Sequence, residues 1–251
     1  MGFLSRIFNR QEKLLEPADI GQLQVDVHSH LIPGIDDGST DMEETLTMLR
    51  KFHELGYRKV ITTPHVMSDF YRNTPTLIQA GLEEVREAIR TEEIDIEIEA
   101  AAEYYLDDVF EELLERDEVL TFGSGRYLLF ELPFIAEPAN LSRAIFNMQL
   151  KEYKPVLAHP ERYSFWFRDF EKFEELNDKG VILQVNANSL SGYYGPEVKK
   201  VADHLLEKGL IRMLGTDCHR MEHLEAFESI TCRMPSFHRL LEEGNLLNRE
   251  L

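Results

Sequence analysis

The sequence predicts an α/β fold, a (β/α)7 barrel of parallel strands, on three observations. Short β-type runs recur seven times along the chain. Helical patterns with their own start and stop signals lie between them. The runs end, one after another, in side chains able to bind metals. Strand and helix in alternation imply parallel strands joined by crossovers, and such a set closes most naturally into a barrel.

The chain opens with MGFLSRIFNRQEK, where Phe3, Leu4, Ile7 and Phe8 fall at helical spacing with Arg6, Arg10 and Lys13 among them. Residues 1–22 are read as an N-terminal amphipathic extension that either packs back on the domain or, through residues 1–13, docks peripherally at a membrane surface or partner. Residues 23–251 are expected to form one domain, because no linker, repeat or low-complexity tract divides them. LQVDV (23–27) is the first strand. A helix follows in TDMEETLTMLRKFHELG, where Thr40 and Glu43 make a capping box, Leu46, Leu49 and Phe52 a buried stripe, and Gly56 the stop. KVITT (59–63) leads to a second helix with Ile78, Leu82, Val85 and Ile89 on one face. IDIEIEA (94–100), YLLFEL (127–132), KPVLA (154–158), VILQV (181–185) and IRMLG (211–215) complete the strands.

The 251 residues are 43% hydrophobic and 29% charged, enough for a sizeable core. A net charge of −19 excludes a generic electrostatic grip on nucleic acid. Between Glu83 and Glu118, 16 Asp/Glu face three Arg, a run read as a solvated helix face. No apolar stretch is long enough to span a bilayer. Two Cys with no signal peptide before them point to a reducing, cytoplasmic setting. The Cys-x5-Arg loop of thiol phosphatases is absent, since Leu224 and His238 stand six residues after Cys218 and Cys232.

Active sites of such barrels form at the carboxyl ends of the strands. The tips here read DVHSH, TTPH, AAAEY, FELP, LAHPER, VNANS and LGTDCH. His28 and His30 are two apart on extended chain and face one side, and Asp217 with His219 repeats that geometry. A lone His-x-His pair is weak, so the array is the signal. His53, His204, His223 and His238 are read as scattered surface or core residues. Mixed His and carboxylate donors without paired Cys point to Zn, Mn or Fe at a catalytic site.

The string VDVHSHLIPGIDDGSTDMEETLTML, followed by TPH, FELP, AHPERY, QVNANSLSGYYG and TDCH, resembles the PHP (polymerase and histidinol phosphatase) family. Within it, the likeness is to the bacterial capsule-locus protein-tyrosine phosphatases of the CpsB/YwqE type, from about Val25 to His219. The resemblance implies a PHP-type distorted TIM-like barrel with three divalent metal ions, manganese first, with Fe, Co or Zn as alternatives. The implied ligands are His28, His30, Asp37, His65, Glu103, Glu131, His159, Asp217 and His219. Arg162 of HPER would hold the substrate phosphate. The family usually carries a second Arg beyond its Asp-x-His, where this chain reads MEHLEAF, and Arg220 is the substitute on offer. The implied reaction is attack of a metal-bridged hydroxide on phosphotyrosine. The implied partner is the tail of a bacterial tyrosine kinase of capsule and exopolysaccharide assembly.

Electrostatics agrees with this chemistry. Four carboxylates bring −4 against +6 from three divalent ions, so a phosphate dianion is welcome in an acidic protein. Aromatic residues beside the tips, Tyr71, Trp166 and Tyr193 foremost, are expected to contact the substrate ring. Three other readings stay open. One is a small-molecule phosphoesterase of the same family, resembling histidinol phosphatase. Another is an amidohydrolase-type barrel, disfavoured because no Lys stands at a strand tip. The last is a metal-bound kinase regulator without activity.

Overall fold

The computed structural model describes residues 13–243 and 245–251, so the amphipathic pattern of residues 1–13 lies outside it except for Lys13. All strand pairs are parallel. β1 (Val25–Asp26), β2 (Lys59–Thr62) and β4 (Glu97–Ala100) form a sheet in the order β1-β2-β4. β3 (His65–Val66), β5 (Glu103–Tyr105), β6 (Tyr127–Glu131), β7 (Lys154–Ala158), β8 (Ile182–Asn186) and β9 (Ile211–Gly215) form a second, β3-β5-β6-β7-β8-β9. Each of the seven predicted runs contains a strand. The second and third are interrupted and resume, which makes nine. Thr63 and Pro64 separate β2 from β3, and Pro64 has no N–H for the ladder. Ala101 and Ala102 separate β4 from β5 at the same level. Bonds from Ala101 N to Thr62 O (2.9 Å) and Glu103 N to Pro64 O (3.1 Å) carry the pairing across the break.

A single closed ladder, as the barrel expectation requires, is not found among the described residues. β1 is only two residues long, and it meets β9 at two points instead of pairing along it. At the carboxyl end Ser29 and Cys218 form a parallel bridge, with His30 N donating to Cys218 O and Asp217 N to His28 O. At the other end the buried Asn248 side chain fills the gap. Its Nδ2 donates to Val25 O (2.9 Å) and Leu214 O (2.7 Å), and its Oδ1 accepts from Leu214 N (3.0 Å). Side chains of both sheets, among them Val25, Ile61, Leu129, Val156 and Met213, meet in one inner cluster, so the strand ends surround a common space.

The helices are α1 (Met42–Glu54), α2 (Pro75–Thr91), α3 (Asp108–Glu115), α4 (Leu141–Leu150), α5 (Glu171–Asp178), α6 (Pro196–Glu207), α7 (Met221–Ser229) and α8 (Pro235–Glu243). The predicted stripes of α1 and α2 are buried. The start of α1 differs by one residue: Asp41 is the N-cap and accepts from Glu44 N, while Glu44 accepts from Thr40 N and Oγ1. Either residue type can cap, a contact worth about 1 kcal/mol, and the path of the loop gives the role to Asp41. Part of the stretch read as an extension packs on the domain. Ile20 is buried in the core, and Leu15 N and Ala18 N donate to Arg233 O and Cys232 O.

Candidate active site

Six strands deliver the predicted metal-type side chains to one place. His28 and His30 follow β1, His65 opens β3, Glu103 opens β5, Glu131 closes β6, His159 follows β7, and Asp217 with His219 follows β9. Asp37 arrives from the loop after β1. Two glycines permit this crowding. A Cβ on Gly38 would lie 2.3 Å from His30 O, and one on Gly215 would lie 2.5 Å from the His28 Cβ. His159 (φ 35°) and Asp217 (φ 51°) hold left-handed backbone, unusual outside glycine and a form of strain that collects at functional sites.

All nine predicted ligands fall into four overlapping groups whose donor atoms lie within 4.8 Å of one another. These are His30, Asp37, His65 and His219; His28, His30 and Glu103; His28, His159 and Asp217; and His65, Glu103 and Glu131. Glu103, fully buried, is the hub. Its oxygens lie 3.1 Å from His28 Nε2, 3.1 Å from His65 Nδ1 and 2.9 Å from His159 Nε2. Two donors bound at about 2.1 Å to one ion stand roughly 3.0–3.5 Å apart, so these spacings suit a metal. The orphaned atoms suit it as well. His65 Nδ1 is buried and forms no hydrogen bond, though it lies 3.1 and 3.2 Å from carboxylate oxygens of Glu103 and Glu131.

Neighbouring side chains fix which ring nitrogen faces inward. His28 Nδ1 is bonded to Gln184 Oε1 (2.7 Å) on β8, which leaves Nε2 toward Glu103. His30 Nδ1 is bonded to Asp36 Oδ2 (2.8 Å), which also accepts from His65 N. Gln184 Nε2 donates to Asn186 Oδ1, and Asn186 Nδ2 donates to Asp217 Oδ2. Such outer partners orient ligands and raise their basicity. Sequence reasoning missed Gln184 and Asp36. Gln184 sits two residues before Asn186 on the same strand face, which was the available signal; Asp36 was indistinguishable from Asp37. With no metal present, burial disfavours charge on His28, yet Glu103 and Asp217 outweigh it and raise the ring to about 10. His65 is likewise pushed up to about 10, against burial, by Glu103 and Glu131.

The open side of the site is a cavity of about 380 Å³ lined by Arg162, Arg220, His223 and the aromatic rings of Tyr71, Tyr105, Phe134 and Tyr194. Arg162 Nη1 donates to Asp217 Oδ2 at 2.8 Å. Its guanidinium lies between Phe134 (5.3 Å) and Tyr194 (4.7 Å), so it is aimed and held. Arg220 is exposed at the rim. Tyr71 stacks on His65 at 5.5 Å.

Two expected ring contacts do not reach the cavity. Trp166 is buried against Tyr163, Phe165 and Phe173, with Nε1 donating to Glu137 Oε2 (2.8 Å). It anchors the loop after β7, because the Ser164–Trp166 turn directs the indole into the core. Tyr193 stands exposed outside the cavity lining, and its neighbour Tyr194 points in. Phe134 and Tyr105 were missed. Tyr105 lies two residues after Glu103 on one strand, a period-2 relation that marks a shared face. His223, read as scattered, lines the cavity instead. His53 is exposed, His204 packs on Phe170, and His238 Nε2 contacts Glu16 O, so those three are scattered as expected. Both cysteines are buried free thiols, and burial pushes each thiol up, away from a reactive thiolate.

Comparison with known proteins agrees with this architecture. Residues 24–244 match the family described as capsular polysaccharide synthesis, CpsB/CapC. The tyrosine-protein phosphatase YwqE of Bacillus subtilis is 29% identical over 198 residues, 79% of this chain and 78% of that protein. The tyrosine-protein phosphatase CpsB of Streptococcus pneumoniae is 28% identical over 204 residues, 79% of this chain and 84% of that protein. Among solved structures, a chain from the crystal structures of YwqE from Bacillus subtilis and CpsB from Streptococcus pneumoniae, described as unique metal-dependent tyrosine phosphatases, superposes with a TM-score of 0.77 at 26% identity over 90% of both chains. A lactonase from Listeria monocytogenes shares the fold alone, with a TM-score of 0.52 at 12% identity over 95% of this chain and 94% of that one. Matched over most of its length, the chain belongs to the CpsB/CapC family of capsular polysaccharide synthesis proteins.

Proposed function

We propose that this protein is a metal-dependent protein-tyrosine phosphatase that acts on a phosphotyrosine protein, the tail of a bacterial tyrosine kinase controlling capsule or exopolysaccharide synthesis. The observation that carries the reading is the convergence of nine ligand-type side chains on one cavity whose mouth holds Arg162 and four aromatic rings. The nine residues are proposed to hold three divalent ions, manganese first, in a PHP-type (β/α)7 arrangement. Ions bound there supply Lewis acidity to the phosphoryl group and generate a water-derived nucleophile at neutral pH.

The chain's own residues do the rest. Arg162 offers a charged donor to phosphoryl oxygens, held in place by Asp217 and two rings. Arg220 is the second candidate clamp. Tyr71, Tyr105, Phe134 and Tyr194 form apolar walls that suit a phenyl leaving group better than an aliphatic one. A cysteinyl-phosphate intermediate has no place here, because neither buried thiol lines the cavity. No helix among the described residues is long and apolar enough to cross a membrane. We place the protein in the cytoplasm, brought to the inner membrane by its kinase substrate and by residues 1–13.

The test is a substrate panel on one preparation of known metal content. Phosphotyrosyl peptide should be hydrolysed well ahead of phosphoseryl peptide and histidinol phosphate. Preference for histidinol phosphate would instead make the protein a small-molecule phosphoesterase.

A further inference from the structure

We propose that a groove beside the active-site cavity receives an apolar side chain of the substrate, two residues from the phosphotyrosine. The assignment rests on the phosphatase reading and narrows its substrate class to an extended peptide with an apolar flank. The groove has a volume of about 470 Å³ and is walled by Val66, Met67 and Tyr71 on one side and by Val109 and Leu113 of α3 on the other. Met67 and Tyr71 also line the cavity that holds Arg162, so the two hollows share a wall. Polar groups around the groove are already engaged. Met67 and Tyr71 exchange backbone hydrogen bonds across a tight turn (2.8 and 3.0 Å), and Arg72 Nε donates to Ser68 O (2.7 Å). Asp107 ties the two sides together: its Oδ2 accepts from Ser68 N and its Oδ1 from Phe110 N in the first turn of α3, both at 2.9 Å. The groove is therefore formed before any ligand arrives.

Only a substrate longer than one residue can fill both hollows. In an extended peptide successive side chains point to opposite sides, so the residue next to the phosphotyrosine turns away, and the one after it faces the protein again about 7 Å along. With the phosphoryl group at Arg162, that second side chain lies across the shared wall, in the groove. Charge and exposure select an apolar occupant. Asp69 and Arg72, the two charged residues of the lining, cancel, although the protein as a whole carries −19. Phe70 at the tip of the turn and Val109 on α3 are exposed. A bound peptide removes that apolar surface from water, whereas a small phosphate ester leaves it bare.

The test uses the metal-loaded full chain with phosphotyrosine amide, too short to reach the groove, and with short Gly/Ser peptides around a central phosphotyrosine. One peptide carries Leu two residues before the phosphotyrosine, one carries Leu two residues after it, and one carries neither. Val109→Glu puts a charge in the groove and keeps α3, because an acidic side chain suits the first turn of a helix. The proposal expects one Leu peptide to exceed the plain peptide by about tenfold in kcat/KM, the scale of burying a leucine side chain. The gain should lie mostly in KM, since a contact this far from the phosphorus is alike in ground and transition states. In V109E the gain should vanish, and the ratio of kcat/KM on the Leu peptide to that on phosphotyrosine amide should fall by the same factor. No gain from Leu at either position, or a gain that V109E leaves intact, would overturn the proposal. So would a change in the solution mass of V109E, read by light scattering, without a change in peptide preference, because the groove would then belong to a second copy of the chain. If neither the amide nor any peptide is hydrolysed, the phosphatase reading fails, and the peptide affinities of the two proteins, measured by calorimetry, still decide what the groove binds.

Discussion

Arg162 and Trp166 lie four residues apart in one loop, and the structure gives them opposite duties. Arg162 reaches the cavity, so Arg162→Ala should leave metal content unchanged and weaken vanadate binding by about 1.5–3 kcal/mol, the scale of a charged hydrogen bond. Unchanged affinity would shift the clamp to Arg220. Trp166 is core, so Trp166→Ala should cost about 3–5 kcal/mol of stability, read from denaturant unfolding, and should not discriminate aryl from alkyl phosphates. A selective loss on aryl substrates would restore it to the site. A third expectation concerns protons. His28 and His65 titrate near 10 in the metal-free protein, above the ordinary 6.5. Their protonation therefore stabilises the metal-free fold fully below pH 6.5, and that contribution fades as pH rises toward 10. Metal needs the neutral rings, so uptake near neutral pH should release protons, measurable by calorimetry in buffers of different ionisation enthalpy, and affinity should fall as pH is lowered. Uptake without proton release would contradict the ligand assignment. The metal-type residues were legible because strand alternation and strand ends expose them. Gln184 was not, because a polar residue inside VILQV looks like any strand position until its partner is seen.

At the scale of elements, the hydrophobic patterns located every strand run and the faces of α1 and α2, because burial of one face leaves a period in the sequence. What they could not locate are breaks and closures. β5 follows two alanines and is only three residues long, too short to show a period, and it is held by register with β3 and β6. The contact of β1 with β9 depends on Asn248, more than thirty residues beyond β9 and in a segment with no strand or helix pattern. Asn248→Ala would leave Leu214 N and two carbonyls buried without their partner. The substitution should cost at least about 2 kcal/mol, seen as a thermal midpoint lower by several degrees. A midpoint unchanged by N248A would mean that the hydrogen bonds at the carboxyl end are enough to hold β1 against β9. The capping shift from Thr40 to Asp41 is a smaller case, since either residue can cap and only the path of the loop decides.

At the scale of the whole molecule, a protein of net charge −19 gathers acids and histidines at one end of its strands and leaves most other acids on exposed helix faces. The arrangement suits bound cations, since three carboxylates of the site, Glu103, Glu131 and Asp217, are buried together. The measurement that bears most directly on this is metal analysis by mass spectrometry, combined with phosphotyrosyl-peptide hydrolysis on one sample before chelation, after chelation and after reconstitution. The account predicts bound divalent metal, activity lost on chelation and regained with Mn, Co or Fe, and activity largely retained in Cys218→Ser and Cys232→Ser. Activity that survives complete removal of metal, or that disappears with either cysteine substitution while metal stays bound, would contradict it.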